Sequence, residues 1–459
     1  MTAASDSVTA NQPTSGIVAS VSDYPKPGYA WLVVAILMAA YLLSFVDRII
    51  LTLMVGPIQE DMGLSDTQIS LLHGVAFALF YTLLGFPLGR LADRYNRVKI
   101  ITWGVIIWSF MTALCGVAKN FTHLFLARVG VGIGEAALSP AAYSLITDYF
   151  PPDKRSKALS VYVIGPSLGI GVAFVLGGIL VTAADTLPDY ELPVLGRIYS
   201  WQLIFLMIGL PGLLFPLVLK LIKEPVRRGQ LRTKEQNSSV PLAELGRFLL
   251  LNKRALVSIF FGIGCVVAIH QALLLWIPTF FNRTYGMEAA DAGTIFGLLM
   301  MVGGIAGVFG AGWLADFWSA KGKENAILTI VFWCITIPIV PSALAPLMPT
   351  ATAAFLVLLP GIVLLCAPMG IVVSAIQQIV PNELRGQVSA LYLFSINLLG
   401  LGFGPTLVAL LTDYYFQSQA DLRYSLALAT ACCAVTASMA IFVGIRGYRE
   451  SLQRAKQWR

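Results

Sequence analysis

Four full charges stand inside stretches apolar enough to cross a bilayer. Asp47 and Arg48 lie in "SFVDR", and Arg128 and Glu135 in "ARVGVGIGEAALSP", Ala127–Pro140. A mid-membrane charge costs about 2.5–3.5 kcal/mol on insertion scales, so such a residue normally faces a partner or a wet cavity. Arg128 and Glu135 are seven apart, hence on one helical face and roughly 10 Å apart along the axis. Counting about 1.5 Å per residue from the span ends puts Asp47 roughly 27 Å above the inner face. The same count puts Arg128 near ~31 Å and Glu135 near ~21 Å of a ~42 Å span. This predicts an alternating network with Asp47 near Arg128 and Arg48 near Glu135. Its chemistry would be proton exchange: a desolvated carboxylate takes a proton when its arginine partner is pulled away or occupied. Asp47 and Glu135 are therefore the candidate proton sites. Arg48 and Arg128 offer forks suited to an anionic headgroup such as phosphate. The structural alternative is a neutral quartet that only joins two helices, a job that well-packed apolar residues do without loss of stability.

Further along, the apolar runs carry no deep charge. Their polar inventory is His270, Gln271, Ser374, Gln377, Gln378, Ser395 and Asn397. Tyr41, His270, Gln271 and Asn397 complete the expected substrate contacts, although a lone buried His is more often a hydrogen-bonded packing residue. Trp276, Phe280, Phe281, Met287, Phe296, Met300 and Met301 supply aromatic and adaptable surface, at spacings usual for packing. A site charged on one wall and greasy on the other suits a molecule with a polar head and an acyl tail. A small polyanion would want polar groups on both walls.

The elements that must hold these residues follow from composition. The chain has 459 residues, 57% hydrophobic and 12% charged, with a mean hydropathy of +0.77. A soluble protein could not hide that much apolar surface. Twelve runs reach the ~20 residues that span hydrocarbon. They begin near Tyr29, Gln68, Val98, Phe121, Lys157, Ser200, Arg254, Ala292, Asn325, Thr350, Gly386 and Arg423. The fold class is an all-α membrane protein. The expected divisions are a disordered tail 1–28, a six-helix bundle 29–222, a linker 223–253 with an amphipathic segment, a second bundle 254–447 and a basic tail 448–459. With both termini in the cytoplasm, inner loops, linker and tail hold 24 of the 31 Lys and Arg, the orientation the positive-inside rule favours. Topogenic charge thus accounts for the net +7 without nucleic acid. The six cysteines lie within predicted spans and show no metal spacing. Neither a metal nor a cofactor is expected, no nucleotide-binding loop is present, and no nucleophile stands beside a base, so an enzyme is not expected.

The two halves carry the same signatures in the same order. "GRLADRYNRVK" after the second run is answered by "GWLADFWSAKGK" after the eighth, and "FPPDKRSKA" by "VPNELRGQVSA". "GPSLG" in the fifth is answered by "GFGP" in the eleventh. Three collinear matches indicate a duplication, and paired bundles around a midplane site are a rocking-transporter architecture.

On these motifs the chain resembles the major facilitator superfamily over essentially its whole length. Gly89, Asp93, Arg94 and Arg97 match the loop signature, with Asn96 where Gly is usual. Arg128, Gly132, Gly134 and Ala136 match the fourth-helix pattern, and Gly165 with Pro166 the fifth. "SFVDR" and "RVGVGIGEA" are similar to the Spinster-like branch, which implies lysolipids or sphingoid phosphates as cargo. The resemblance also implies a cytoplasmic gate of Gly89, Asp93, Arg94, Arg97, Asp148 and Asp316. Asp93 would latch onto the N-terminal end of the eleventh helix, where helix-dipole charge is positive. Gly165, Pro166, Gly404 and Pro405 are expected at hinges, by bending or by close packing. The expectation is a monomeric, proton-linked, alternating-access transporter of an amphipathic anionic lipid in a bacterial inner membrane. Its rivals are a proton symporter of small organic anions and a lipid-binding sensor without turnover.

Overall fold

The computed structural model describes residues 24–186, 190–192, 196–227, 242–323, 325–381 and 384–456. Most of the expected N-terminal tail and residues 228–241 of the linker lie outside them.

Among the described residues, twelve helices are long and apolar enough to cross a membrane. In the first half they are α1 (Pro27–Leu53), α2 (span Asp66–Gly85, the helix running on to Arg94), α3 (Arg97–Cys115), α4 (Phe121–Tyr149), α5 (Lys157–Ala184) and α6 (Ser200–Leu219). In the second they are α7 (Lys253–Tyr285), α8 (Ala289–Ala320), α9 (Ala326–Leu347), α10 (Ala351–Ile379), α11 (Arg385–Phe416) and α12 (Gln419–Ala455). An even number of crossings returns both termini to one face. That face also carries the loops containing Arg94, Lys154 and Lys321, and we refer to the opposite one as the far face. One helix, Leu242–Leu251, forms in the linker stretch expected to be amphipathic, with Leu250 and Leu251 exposed. A two-stranded antiparallel hairpin between α5 and α6, β1 (Tyr190–Leu192) with β2 (Gly196–Ile198), had no counterpart in the expected elements.

The breaks within helices are local. Ser65 caps α2 in a capping box with Gln68, satisfying two orphan N–H groups. α2 then breaks at Gly74, which separates Asp66–His73 from Val75–Arg94. α4 pauses after Glu135. α5 restarts at Gly165 with Pro166 in its first turn, where a missing N–H is harmless. α11 passes through a π-helical segment, Leu398–Phe403, before restarting at Gly404.

The hydrophobic core is divided unequally. One cluster joins the whole second half to the far ends of the first, including Phe45, Leu72, Leu124 and Phe174. A separate cluster, with Val33, Trp108, Tyr149 and Tyr162, belongs to the first half alone and lies toward the terminus-bearing face. Phe174 of α5 meets Phe296 of α8 edge-on at 5.6 Å. Gly293 and Gly297 of α8 admit this approach, since a Cβ on Gly297 would lie 2.5 Å from Phe174 Cβ. The halves are thus packed together toward the far face.

Candidate functional site

The glycines of α4 explain how its two charges are buried. Gly130 and Gly134 face α3: a Cβ on Gly134 would lie 2.6 Å from the Trp108 nitrogen, and one on Gly130 would run into Met111. Gly132 faces α2, where a Cβ would lie 2.7 Å from the Phe77 carbonyl oxygen. Small residues here let three backbones close together, leaving Arg128 and Glu135 each 1% exposed. Such proximity of helices is the usual role of glycine in membrane bundles.

α1 meets this surface with Asp47, also 1% exposed. Arg48 reaches Glu135 with both Nε and Nη2 at 2.6 Å from Oε2. Its guanidinium sits within 4.5 Å of the Phe77 ring centre, 4.9 Å of Tyr81 and 5.2 Å of Phe45. Those rings attract a cation through their quadrupoles. The Arg48 side chain remains 18% exposed whereas that of Glu135 is sealed. The second expected pairing takes another form. Arg128 Nη1 donates to the main-chain carbonyl of Asp47 at 3.0 Å, and both Asp47 carboxylate oxygens are buried without a hydrogen-bond partner. Glu135 Oε1 and Arg128 Nε are likewise unpartnered. The expected quartet is therefore one tight ion pair beside two loosely held charges. A buried unpaired polar atom costs about 1–3 kcal/mol, so this layer is under-satisfied and has partners to gain.

Tyr41 stacks on Tyr162 at 5.2 Å between ring centres, and Tyr143 meets Tyr162 edge-on. In the second half, His270 and Gln271 are half-buried on α7, and Asn397 ends the helical stretch before the π-segment of α11. The expectation of a greasy wall is corrected for most of its residues. Trp276, Phe280, Phe281 and Phe296 are fully buried and Met300 nearly so, because they fill the core of the second half. Gln378 accepts from the Tyr448 hydroxyl of α12 at 3.1 Å.

A cluster that sequence reasoning missed closes the far face. Arg283, in the last turn of α7, donates two hydrogen bonds of 2.8 Å to Asp66 in the first turn of α2. It gives a third of 2.8 Å to Gln59, which itself donates to Asp66 at 2.7 Å. Asp413 of α11 accepts from the Thr67 N–H at 2.7 Å and from its hydroxyl at 2.6 Å. Each acid thus sits at the N-terminal end of α2, where the helix dipole favours negative charge. Below them Ser70 donates to Thr406 at 3.3 Å. The partners that meet across the two halves are more than 200 residues apart, and no local pattern announces them.

At the terminus-bearing face, Arg97 is buried and bonded to Asp148, to Ser144 at 2.8 Å and to Glu224 at 2.7 Å. Glu224 opens the linker and also accepts from the Val98 N–H. Arg227 reaches the Ala92 and Tyr95 carbonyls, each at 2.7 Å, satisfying orphan acceptors at the end of α2. Arg97 and Asp148 therefore hold the linker to their own half. A cavity of about 430 Å³ lies beside them, lined by Tyr29, Tyr149 and Lys223 among others. Gly89 is half-buried, Arg94 and Asp316 are exposed, and the Asp93 side chain lies outside the described residues. At the expected hinges close packing coincides with a restart of the helix. A Cβ on Gly165 would lie 2.8 Å from the Tyr41 ring, and one on Gly404 would collide with the Ala268 carbonyl. Both glycines also begin a new helical segment.

The family model described as Major Facilitator Superfamily matches residues 37–405. Protein spinster homolog 1 of Xenopus tropicalis is 29% identical over 442 residues, covering 90% of this chain and 78% of that one. The hexuronate transporter of Bacillus subtilis is 23% identical over 390 residues, covering 83% and 87%. A solved bacterial homolog of the human lysosomal transporter Spinster, inward-facing and unoccupied, superposes with a TM-score of 0.79 at 26% identity, covering 94% of this chain and 99% of that chain.

Proposed function

This chain belongs to the Major Facilitator Superfamily, and on that premise we propose that it is a proton-linked secondary transporter of an amphipathic anionic lipid, of lysophospholipid or sphingoid-phosphate type. The observation that carries this reading is the under-satisfied charge layer. Arg48 holds Glu135 at 2.6 Å while the Asp47 carboxylate is buried with no partner. Glu135 and Asp47 are the proton sites, and Arg48 and Arg128 receive the anionic headgroup. When the headgroup draws Arg48 away, Glu135 is left buried beside Asp47 without its counter-charge, and a proton replaces the lost neutralisation. One charge crossing 100 mV is worth about 2.3 kcal/mol, enough for roughly a fifty-fold gradient. The confinement of deep charge to the first half supports a cargo with one polar end.

The terminus-bearing face is the cytoplasmic one, in a bacterial inner membrane, as the basic loops favour. Packing and cross-half hydrogen bonds toward the far face then correspond to an inward-facing state. Alternating access requires the Asp66–Arg283 and Thr67–Asp413 contacts to part as Asp93 closes the cytoplasmic side. A second reading, symport of small organic anions, is supported by the similarity to a hexuronate transporter.

Proteoliposome flux of lysophosphatidylglycerol and of small carboxylates, with and without a pH gradient, tests both. Lysolipid flux that follows the gradient, and loses that dependence in Glu135→Gln and Asp47→Asn, is the expected result. Carboxylate flux insensitive to lysolipid overturns it in favour of the second reading, and saturable binding without flux makes the protein a sensor.

A further inference from the structure

His73 stands outside every assignment made so far, yet it borders the charge layer. It is the last residue of the first segment of α2, seven residues from the helix start at Asp66. Arg128 is likewise seven residues from the start of α4 at Phe121. Both lie about 10 Å below the far end of their helices, and these two segments pack together. His73 is only 5% exposed, and its Nδ1 is buried without a partner. The charged groups that bear on it are Arg128 of α4 and Arg48 of α1. From α11, Asp413 is engaged farther out with Thr67, and the helical segment Gly404–Leu410 holds no titratable residue.

A donor and an acceptor are thus left over on neighbouring helices at one depth. Arg128 Nε carries a hydrogen with nowhere to go, and an imidazole nitrogen can accept it. We propose that His73 is a positioning residue of the charge layer: it is the alternate partner of Arg128, engaged when Arg128 releases the Asp47 carbonyl. While Asp47 is charged it draws Arg128 toward α1. Once Asp47 carries a proton that pull is gone, and Arg128 turns to His73 and to the anion.

The location gives the exchange a mechanical consequence. The segment Asp66–His73 carries three of the far-face contacts, at Asp66, Thr67 and Ser70. It is separated from the rest of α2 by the break at Gly74, whose backbone is pressed against the Leu401 carbonyl of α11. A new bond on His73 therefore pulls on the segment that seals the far face. In this way protonation of Asp47 is conveyed to the gate.

This inference rests on the proton-linked reading, so the two are tested side by side, with lysophosphatidylglycerol as the probe in proteoliposomes. The readout is gradient-driven uptake divided by counterflow at equal pH. His73→Leu removes the acceptor and is expected to lower that ratio at least tenfold, while His73→Gln, which keeps an acceptor oxygen, restores at least half of it. A wild-type ratio in His73→Leu, or an equal loss in both variants, overturns the role of His73. If His73→Leu does not fold, the pH profile of His73→Gln decides: an unshifted midpoint supports the acceptor, and a shift of more than about one pH unit, or about 1.4 kcal/mol, overturns it. Asp47→Asn separates the two ideas. If it retains gradient dependence the proton-linked reading fails, and if it alone loses that dependence only the inference about His73 fails.

Discussion

Replacing Arg283 by Gln should open the far face, and the contacts there set the size of the effect. The variant loses two bonds of 2.8 Å to Asp66 and the positive charge that compensates it. Asp66 is fully buried, while the Arg283 side chain is 13% exposed. Breaking a buried pair by removing one member costs about 3–5 kcal/mol, because the remaining charge is stranded. Gln59 still donates to Asp66 and the arginine is partly wet, so the lower figure of about 3 kcal/mol applies. Once the far face opens, Asp66 is hydrated with or without Arg283, and the substitution leaves that state nearly unaffected. The penalty therefore falls on the closed state. At about 1.4 kcal/mol per tenfold change, the closed-to-open ratio should drop roughly a hundredfold. Spin labels at Lys119, in the loop before α4, and Ala420, in the first turn of α12, both exposed at the far face in opposite halves, report this as a longer distance component in pulsed dipolar spectra. An unchanged distribution in a folded Arg283→Gln protein would refute the idea that this pair holds the face shut. It would leave the Thr67–Asp413 contact and the packing of Phe174 against Phe296 as the closure.

Three other outcomes follow from the same geometry. Asp93→Asn should shift the population further toward inward-facing states, read from label distances across the terminus-bearing face; constant distances there count against a latch. Gly74→Ala places a methyl against the Leu401 carbonyl across the two halves, whereas Gly132→Ala places one 2.7 Å from the Phe77 oxygen within the first half. Overpacking costs about 1–3 kcal/mol, so Gly74→Ala should favour far-face opening and Gly132→Ala should lower the melting temperature without changing the distances. Glu224→Gln weakens the anchor on Arg97, and limited proteolysis should then cut the linker at least several-fold faster; an unchanged rate would mean that Arg227 alone holds it.

Much of the architecture was legible along the chain because the bilayer imposes a rule that composition must obey. Each crossing needs its own run of apolar residues, and every backbone group in it must bond within the helix. Twelve runs therefore meant twelve helices, and the paired motifs meant two bundles. The Arg48–Glu135 contact was legible too, since heptad spacing on α4 and depth counting on α1 place the two residues at reach. The nearness of Arg128 to Asp47 was legible in the same way, but its form was not, because depth says nothing about whether a guanidinium meets a carboxylate or a carbonyl. Trp276, Phe280 and Phe296 stand at spacings usual for packing, and the packing of α7 and α8 against their neighbours makes them core and not a cavity wall.

What the sequence by itself determined is where polar groups are forced into apolar surroundings: Asp47, Arg48, Arg128 and Glu135 announce themselves because each opposes the solvent around it. What only the tertiary structure decided is who meets whom across the two halves. Arg283, Asp66, Gln59 and Asp413 sit near helix ends, where charge is ordinary and carries no signal of its own. His73 is hidden for a related reason: one imidazole in an apolar run looks like packing until its neighbour proves to hold an unused donor. The physical difference is range. Hydrophobic matching acts residue by residue along the chain, whereas a hydrogen bond exists only once folding has brought its two ends within about 3 Å.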